Sequence, residues 1–338
     1  MGQFGAAGCC LGCLRPVHHP TLPFRCWTPP TLPPSVRSRD VFRPRIARSR
    51  QTLTAWAFLT PALILLGLSV LIPALMALVM TFTQTGLDVS EPLRFVGLAN
   101  LRRLSLDPMF YRVLATTLLY LIGIVPPIVL GSLALAVLVN RSLPGMHGLR
   151  AAFYTPVLVS IVVAAIAFRW LYAENGLING WLSVLIGAGF EPIGFLTNPL
   201  LALPSVMLVT LWKGLGYYMV IFLAGLQGIP GELYEAAELD GSEGWRQHVD
   251  ITLPLLRPYI TLVSVISAIA ATKVFEEVFL MTQGGPADAT RTLVYYVYDQ
   301  AFAELEISYA CTVGLALFLL VMLLTLVRLA FAGDRGLI

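Results

Sequence analysis

The stretch VLATTLLYLIGIVPPIVLGSLALAVLVN, from Val113 to Asn140, contains no Asp, Glu, Lys or Arg. A helix that crosses a bilayer needs about 20 predominantly apolar residues, and this run is longer. It lacks the strict apolar–polar alternation of a membrane barrel strand, so it reads as a helix. Working outward, Gln51–Leu87, Ala151–Phe168, Pro192–Trp212 and Ile307–Val327 are equally free of charge. A sixth run, Tyr259–Met281, is interrupted only by Lys273, Glu276 and Glu277. The expected spans are 56–82, 113–139, 151–172, 202–226, 259–281 and 307–331, which makes the fold class an all-α polytopic membrane protein with six transmembrane helices. Composition agrees: 57% of the 338 residues are hydrophobic, 12% are charged, and the mean hydropathy is +0.79. A soluble domain carries about 25% charge, so a water-surrounded enzyme core is excluded.

Orientation follows from Lys and Arg in the loops. Counting the N-terminal tail, the 140–150 and 227–258 loops and the C-terminus, one side holds fourteen arginines. The other side holds five: Arg94, Arg102, Arg103, Arg112 and Arg291. Both termini are expected in the cytoplasm. The first span lies too far along the chain, and is too long, to be a signal-peptide core. Residues 1–50 are Pro- and Arg-rich without apolar periodicity, and read as a disordered cytoplasmic tail or as residues upstream of the true start codon. Cys9, Cys10, Cys13 and Cys26, with His18 and His19, could be drawn as a zinc site, but their spacing matches no standard finger. No metal or cofactor is expected.

The 227–258 loop differs from the other cytoplasmic loops. It carries Glu232, Glu235, Glu238, Asp240, Glu243 and Asp250 beside only Arg246 and Arg257. Pro230 suits a helix N1 position, and Glu232 suits the first turn of that helix. Leu233, Ala236, Ala237 and Asp240 share one small face. Gly241 offers a C′ stop, and Ser242 an N-cap for a second short helix through Trp245 to Ile251. An interfacial helix would be Lys/Arg-rich on its polar face, whereas this loop is acid-rich. Its small face and acidic rim suit a docked partner better.

At these residues a family resemblance emerges. Glu235-Ala236-Ala237, Gly241 and Ile251-x-Leu253-Pro254 resemble the EAA loop of ABC importer permeases. Val274-Phe275, Thr282-x-Gly284-Gly285-Pro286, Thr292–Tyr296 and Gln300-Ala301-Phe302 are similar to the first membrane subunit of maltose, multiple-sugar and glycerol-3-phosphate uptake systems. Arg169-Trp170-Leu171 and Leu211-Trp212-Lys213 fit as well, and the resemblance runs from about residue 50 to the C-terminus. It implies the type I ABC importer permease fold in a bacterial inner membrane. It also implies a second homologous permease, an ATP-binding-cassette ATPase dimer, an extracytoplasmic solute-binding protein and a sugar-like substrate. Glu235, Ala236, Ala237, Asp240, Gly241, Ile251, Leu253 and Pro254 would form the ATPase-coupling loop. His248 departs from the aromatic residue common at its position in the family.

Ionisable groups within spans are costly and therefore point to function. Lys213 sits in span four among Trp212, Gly214, Gly216, Tyr217 and Tyr218. Family members that bind sugar in the membrane use this part of span four and the matching part of span five, which points to Thr210, Lys213, Gly214 and Tyr217. Snorkelling of Lys213, or pairing within the bundle, is the competing role. In span five, Lys273 can reach Glu276 at i+3 and Glu277 at i+4, which favours an intrahelical pair. The sharper reading turns Lys273 and Glu277 toward the substrate path. Arg169 between Phe168 and Trp170 reads as an interfacial anchor.

No G-x-x-x-x-G-K-[ST] loop is present, so the chain is not expected to be the ATPase, nor any enzyme. Nucleic acid is not an expected partner. The expected function is that of an importer permease subunit forming half of a membrane path for a sugar, polyol or sugar phosphate. The competing class is an ATPase-independent secondary transporter or channel, whose mark would be inverted repeats with helices broken near the midplane.

Overall fold

The computed structural model describes residues 45–84, 94–141, 143–187 and 189–332. The chain divides into two units, Met1–Leu63 and Ile64–Ile338. The Cys/His cluster of the tail lies outside the described residues. The first unit contributes most of α1 (Arg45–Leu66), a helix that runs through a π turn at Gly67–Leu71 into α2 (Ile72–Thr81). A two-residue pairing of β1 (Thr83–Gln84) with β2 (Arg94–Phe95) leads to α3 (Ala99–Leu106).

Two long helices form the centre of the second unit: α4 (Pro108–Val139) and α8 (Pro199–Gln227). Each starts at a local signal lying ahead of the predicted span. Asp107 caps α4 by accepting from the Met109 N–H at 2.9 Å, and Pro108 follows at N1. Asn198 caps α8 by accepting from the Leu200 N–H at 2.9 Å, and Pro199 follows. A capping side chain followed by Pro satisfies one orphan donor and removes another. At 1.5 Å per residue α4 is about 48 Å long, more than the ~30 Å hydrocarbon core. Tyr120, Ile124 and Ile128 of α4 pack with Val206, Val209, Met219 and Phe222 of α8 in the main core.

Between them lie α5 (Met146–Leu158), α6 (Ile161–Leu171) and the short apolar α7 (Leu177–Ile186). The predicted third span is thus two helices, bent by 92° at Val159–Ser160, where the backbone turns extended. The 227–258 loop folds as α9 (Gly231–Leu239), α10 (Trp245–Gln247), a π turn at His248–Thr252 and α11 (Leu253–Leu255). A 68° bend then leads into α12 (Arg257–Thr272). The predicted fifth span breaks after Thr272 and resumes as α13 (Glu276–Met281). The described residues end with α14 (Leu293–Tyr298), a π turn and α15 (Ile307–Ala332). Among the described residues four helices are long and apolar enough to cross a membrane, and the total is six if each bent pair counts as one crossing.

A second, smaller core ties α15 to α14 and the start of α4. Leu104, Val113, Leu293, Tyr296, Tyr309 and Val313 form it. Asp107 binds it from above, accepting from the hydroxyls of Tyr309 at 2.6 Å and Tyr296 at 2.7 Å.

Candidate functional site

The polar residues of the spans converge on one cavity of about 420 Å³, within the ~300–1,000 Å³ range of small-molecule pockets. Thr210, Lys213, Gly214 and Tyr217 line it from α8, Lys273 from the break after α12, and Glu276 and Glu277 from α13. Tyr120 of α4 adds a hydroxyl that sequence reading had missed. Its side chain is fully buried, and nothing in a local pattern distinguishes it from a core tyrosine.

Lys213 reaches across to the break between α5 and α6. Its ammonium donates to the carbonyls of Val157 at 3.0 Å and Val159 at 2.7 Å. These carbonyls close the C-terminal end of α5, where helical partners run out and the dipole favours a cation. Thr210 sits one turn before Lys213. Its hydroxyl donates to Glu277 Oε1 at 3.1 Å and lies 2.7 Å from the Tyr120 hydroxyl. A threonine has one hydroxyl proton. With that proton on Glu277, the Tyr120 hydroxyl must donate to Thr210. A directed chain therefore runs from Tyr120 through Thr210 to the buried carboxylate.

The intrahelical pair expected for Lys273 does not form. The helix ends at Thr272, so i+3 and i+4 are no longer neighbours on one face. Thr292 stabilises the break by donating to the Val274 carbonyl at 3.1 Å. Ion pairs among the described residues are Arg103–Glu306, Arg291–Asp288 and Arg291–Asp299, and none involves the cavity. Lys273 and Glu276 are exposed, whereas Glu277 is buried. Arg169 donates to the Leu280 carbonyl at 3.3 Å and so caps the end of α13.

The 227–258 loop is a second constellation. Helix α9 ends in a Schellman motif: the Ser242 N–H donates to the Ala237 carbonyl at 2.9 Å and the Gly241 N–H to the Glu238 carbonyl at 3.1 Å. Gly241 lies at φ +81°, a conformation that costs any residue bearing a Cβ. Two details differ from the sequence reading. Pro230 stands at the N-cap rather than N1, and Gly244 rather than Ser242 precedes the second helix. Ser242 instead donates to Asp250 at 2.9 Å, closing the loop on itself.

Further ties fix the two arms. Tyr234 and Thr252 hydroxyls lie 3.0 Å apart, and Gln247 donates to Glu238 at 3.2 Å. His248 meets Thr252 at 3.2 Å and Trp245 edge-on at 5.9 Å, so it helps hold the arms. None of the α9 residues is buried. Besides the acids and alanines, the loop exposes Leu239 (90%) and Trp245 (77%), two apolar residues that the small-face pattern did not flag. Leu256, fully buried at the bend into α12, roots this loop in the main core. A Cβ on Gly225 of α8 would meet Leu256 and the Tyr259 ring at 2.8 Å, so the two helices touch closely there.

Residues 106–334 match the family described as binding-protein-dependent transport system inner membrane component. The chain belongs to that family. It is 34% identical over 288 residues to the lactose transport system permease protein LacF of Rhizobium radiobacter, covering 84% of this chain and 95% of that protein. Another relative is the sulfoquinovosyl glycerol transport system permease protein SmoG of Agrobacterium fabrum, 32% identical over 84% of this chain and 91% of its own length. The arabinooligosaccharides transport system permease protein AraP of Bacillus subtilis is 32% identical over 78% of this chain and 83% of its own length. Among solved structures, a chain of a bacterial alginate ABC transporter, in complex with an alginate pentasaccharide-bound periplasmic protein, superimposes with a TM-score of 0.75. The match covers 86% of this chain and 98% of that one at 21% identity. The fold is that of an ABC importer permease.

Proposed function

We propose that this permease forms half of the membrane path of an ATP-driven importer for a sugar, polyol or sugar phosphate. The observation that carries this reading is the physical link between the two constellations. The exposed acidic loop, closed by its Schellman turn, joins through buried Leu256 to α12, and α12 ends at the wall of the polar cavity. The names of the relatives, lactose, arabinooligosaccharide and sulfoquinovosyl glycerol systems, support a carbohydrate substrate.

In this reading both termini and the loop face the cytoplasm. A separate ATPase dimer takes α9 into a cleft, with Glu235, Ala236, Ala237, Asp240 and Gly241 at the contact and Ile251, Leu253 and Pro254 behind it. Closure of the ATPase dimer draws the loop of this chain toward that of a second permease, and the bend at Leu256 turns that motion into a tilt of α12. The cavity then opens outward to receive substrate from a solute-binding protein, and hydrolysis returns it inward. Thr210, Lys213, Gly214, Tyr217, Lys273 and Glu277 contact the solute on its way.

Gly241→Asp tests the link. At φ +81° an aspartate is strained, and it places a charge at the docking turn. The expected result in proteoliposomes is an assembled complex that hydrolyses ATP without uptake. Full uptake by this variant would overturn the proposal.

A further inference from the structure

Helix α7 belongs to neither the cavity nor the 227–258 loop, and its exposed face is wrong for water. Its ten residues, at 1.5 Å each, make it about 15 Å long, half of the ~30 Å hydrocarbon core, so it cannot cross a bilayer. An apolar helix of that length either packs in a core or lies at a membrane interface. Burial is absent on one side: Leu177, Trp181, Val184 and Leu185 are 66–84% exposed. At i, i+4, i+7 and i+8 they form one continuous apolar stripe.

The opposite face fixes the helix to the protein. Asn179 is buried there. Its amide donates to the carbonyls of Ala173 at 3.1 Å and Ile193 at 3.0 Å, and its carbonyl accepts from the Ile193 N–H at 2.9 Å. Ile178 packs on the main core beside it. Ser183 donates to the Gly180 carbonyl at 2.8 Å. The polar side chains of α7 are thus satisfied within the protein, and the exposed stripe offers a single donor, the Trp181 indole N–H. A docked protein would call for a polar rim with hydrogen bonds and charges. No charged residue occurs from 175 to 190. The apolar surface instead continues to both sides, through Trp170 in the last turn of α6 and Leu200 in the first turn of α8, both largely exposed. A tryptophan with its ring in an apolar layer and its N–H at the edge suits the headgroup level of a bilayer.

We infer that α7 is a membrane-surface helix, with its Leu177–Trp181–Val184–Leu185 stripe seated in the headgroup–acyl boundary of the leaflet opposite the 227–258 loop. The leaflet follows from chain order: α7 precedes the 29-residue α8 and the loop follows it, so the two lie at opposite ends of that helix. Basic residues serve amphipathic helices that must find a membrane by themselves. Helix α7 needs none, because α6 and α8 hold it there from either side. Seated in this way it keeps the adjoining ends of α6 and α8 at one depth while α12 tilts.

The test uses the complete importer with its native cysteines replaced by serine. Val184→Cys, Leu185→Cys and Ser183→Cys are introduced one at a time, labelled with a nitroxide, and reconstituted in phosphatidylcholine–phosphatidylglycerol nanodiscs. Collision with oxygen, which concentrates in the bilayer, and with a water-soluble nickel chelate gives the depth of each label. Labels at 184 and 185 should lie about 5–10 Å below the phosphates, while the label at 183, on the flank away from the stripe, should stay within reach of the chelate. Nickel access at 184 and 185 equal to that at 183 would put the stripe in water and overturn the inference. Shielding of 184 from both oxygen and nickel would put a protein on the stripe and overturn it too, as would shielding that appears only when a solute-binding protein is added. Each of these results leaves the importer reading standing, because uptake by the unlabelled complex tests that reading separately.

Discussion

Lys213 and Glu277 are ionisable groups in apolar runs, where burial is costly, and each is stabilised by a different kind of partner. Lys213 supplies donors to backbone carbonyls freed by a helix break, so its loss should be felt first in stability. Lys213→Met leaves the Val157 and Val159 carbonyls without donors, at a cost of about 1–3 kcal/mol. The melting temperature of the purified complex should fall, and Lys213→Arg should recover part of the loss. A melting temperature unchanged in Lys213→Met would remove the capping role. Thr210→Val should weaken the hold on Glu277 by a similar ~1–3 kcal/mol, whereas Thr210→Ser keeps the hydroxyl and should restore it. Melting curves of the two variants decide this. That these residues matter was legible in the sequence, because a charge in an apolar run is conspicuous. Their partners were not. The carbonyls lie more than fifty residues from Lys213, in a break that no periodicity announces, and Tyr120 looks like any core tyrosine. The i+3 and i+4 spacing of Lys273 misled because it presumes an unbroken helix.

At the scale of elements, helix starts and close approaches carry the argument. Gly216 of α8 faces the backbone of α5 at Phe153 and Tyr154, and a Cβ there would collide with the Phe153 carbonyl. A backbone atom cannot rotate away, so Gly216→Ala should force α5 and α8 apart and cost about 1–3 kcal/mol. Cysteine cross-linking between the two helices should report the shift, and cross-linking equal to wild type would refute it. At the head of α4, burial acts to raise the Asp107 pKa. Hydrogen bonds from Tyr309 and Tyr296, and from the Met109 and Phe110 N–H groups, outweigh that and leave it below the usual carboxylate range. The same carboxylate, after burial, pushes the Tyr296 hydroxyl up. For a carboxyl group with a depressed folded pKa, the stabilisation is complete above its unfolded value, near 3.8, and is lost as pH falls through the folded one. Protection factors for hydrogen exchange in 293–306, which remove the intrinsic pH dependence of the rate, should therefore be flat from pH 5 to 8 and fall only in strong acid, while Asp107→Ala should lower them throughout. The Asp107-Pro108 and Asn198-Pro199 pairs announce these helix starts in the sequence, although hydropathy alone places the spans several residues late. The breaks at Val159 and Thr272 were illegible, since apolar runs continue straight through both.

For the whole molecule, scarcity of charge is what makes function readable. With 12% charged residues, an apolar exterior needs no further explanation, and a loop with six acids and only two arginines does. The spacing of Glu235, Ala236, Ala237 and Gly241 singles out that loop in the sequence by its resemblance to the EAA loop. The structure adds exposed Leu239 and Trp245 beside the acids, so the proposed docking face would combine apolar burial with a charged rim. Rim charges set orientation and encounter, while desolvated apolar residues contribute most of the affinity. The two groups should therefore fail differently. Reversing Glu235 and Asp240 to lysine should slow association of the ATPase and make it strongly salt-dependent. Trp245→Ala should leave the association rate near wild type and speed dissociation, with an overall loss of about 2 kcal/mol or more if the tryptophan is an anchor. Surface-immobilised permease complex titrated with its ATPase at two salt concentrations separates the two rates. An ATPase that binds the charge-reversed and Trp245→Ala complexes with wild-type rates would place its docking site elsewhere, and would detach the acidic loop from the cavity it is proposed to drive.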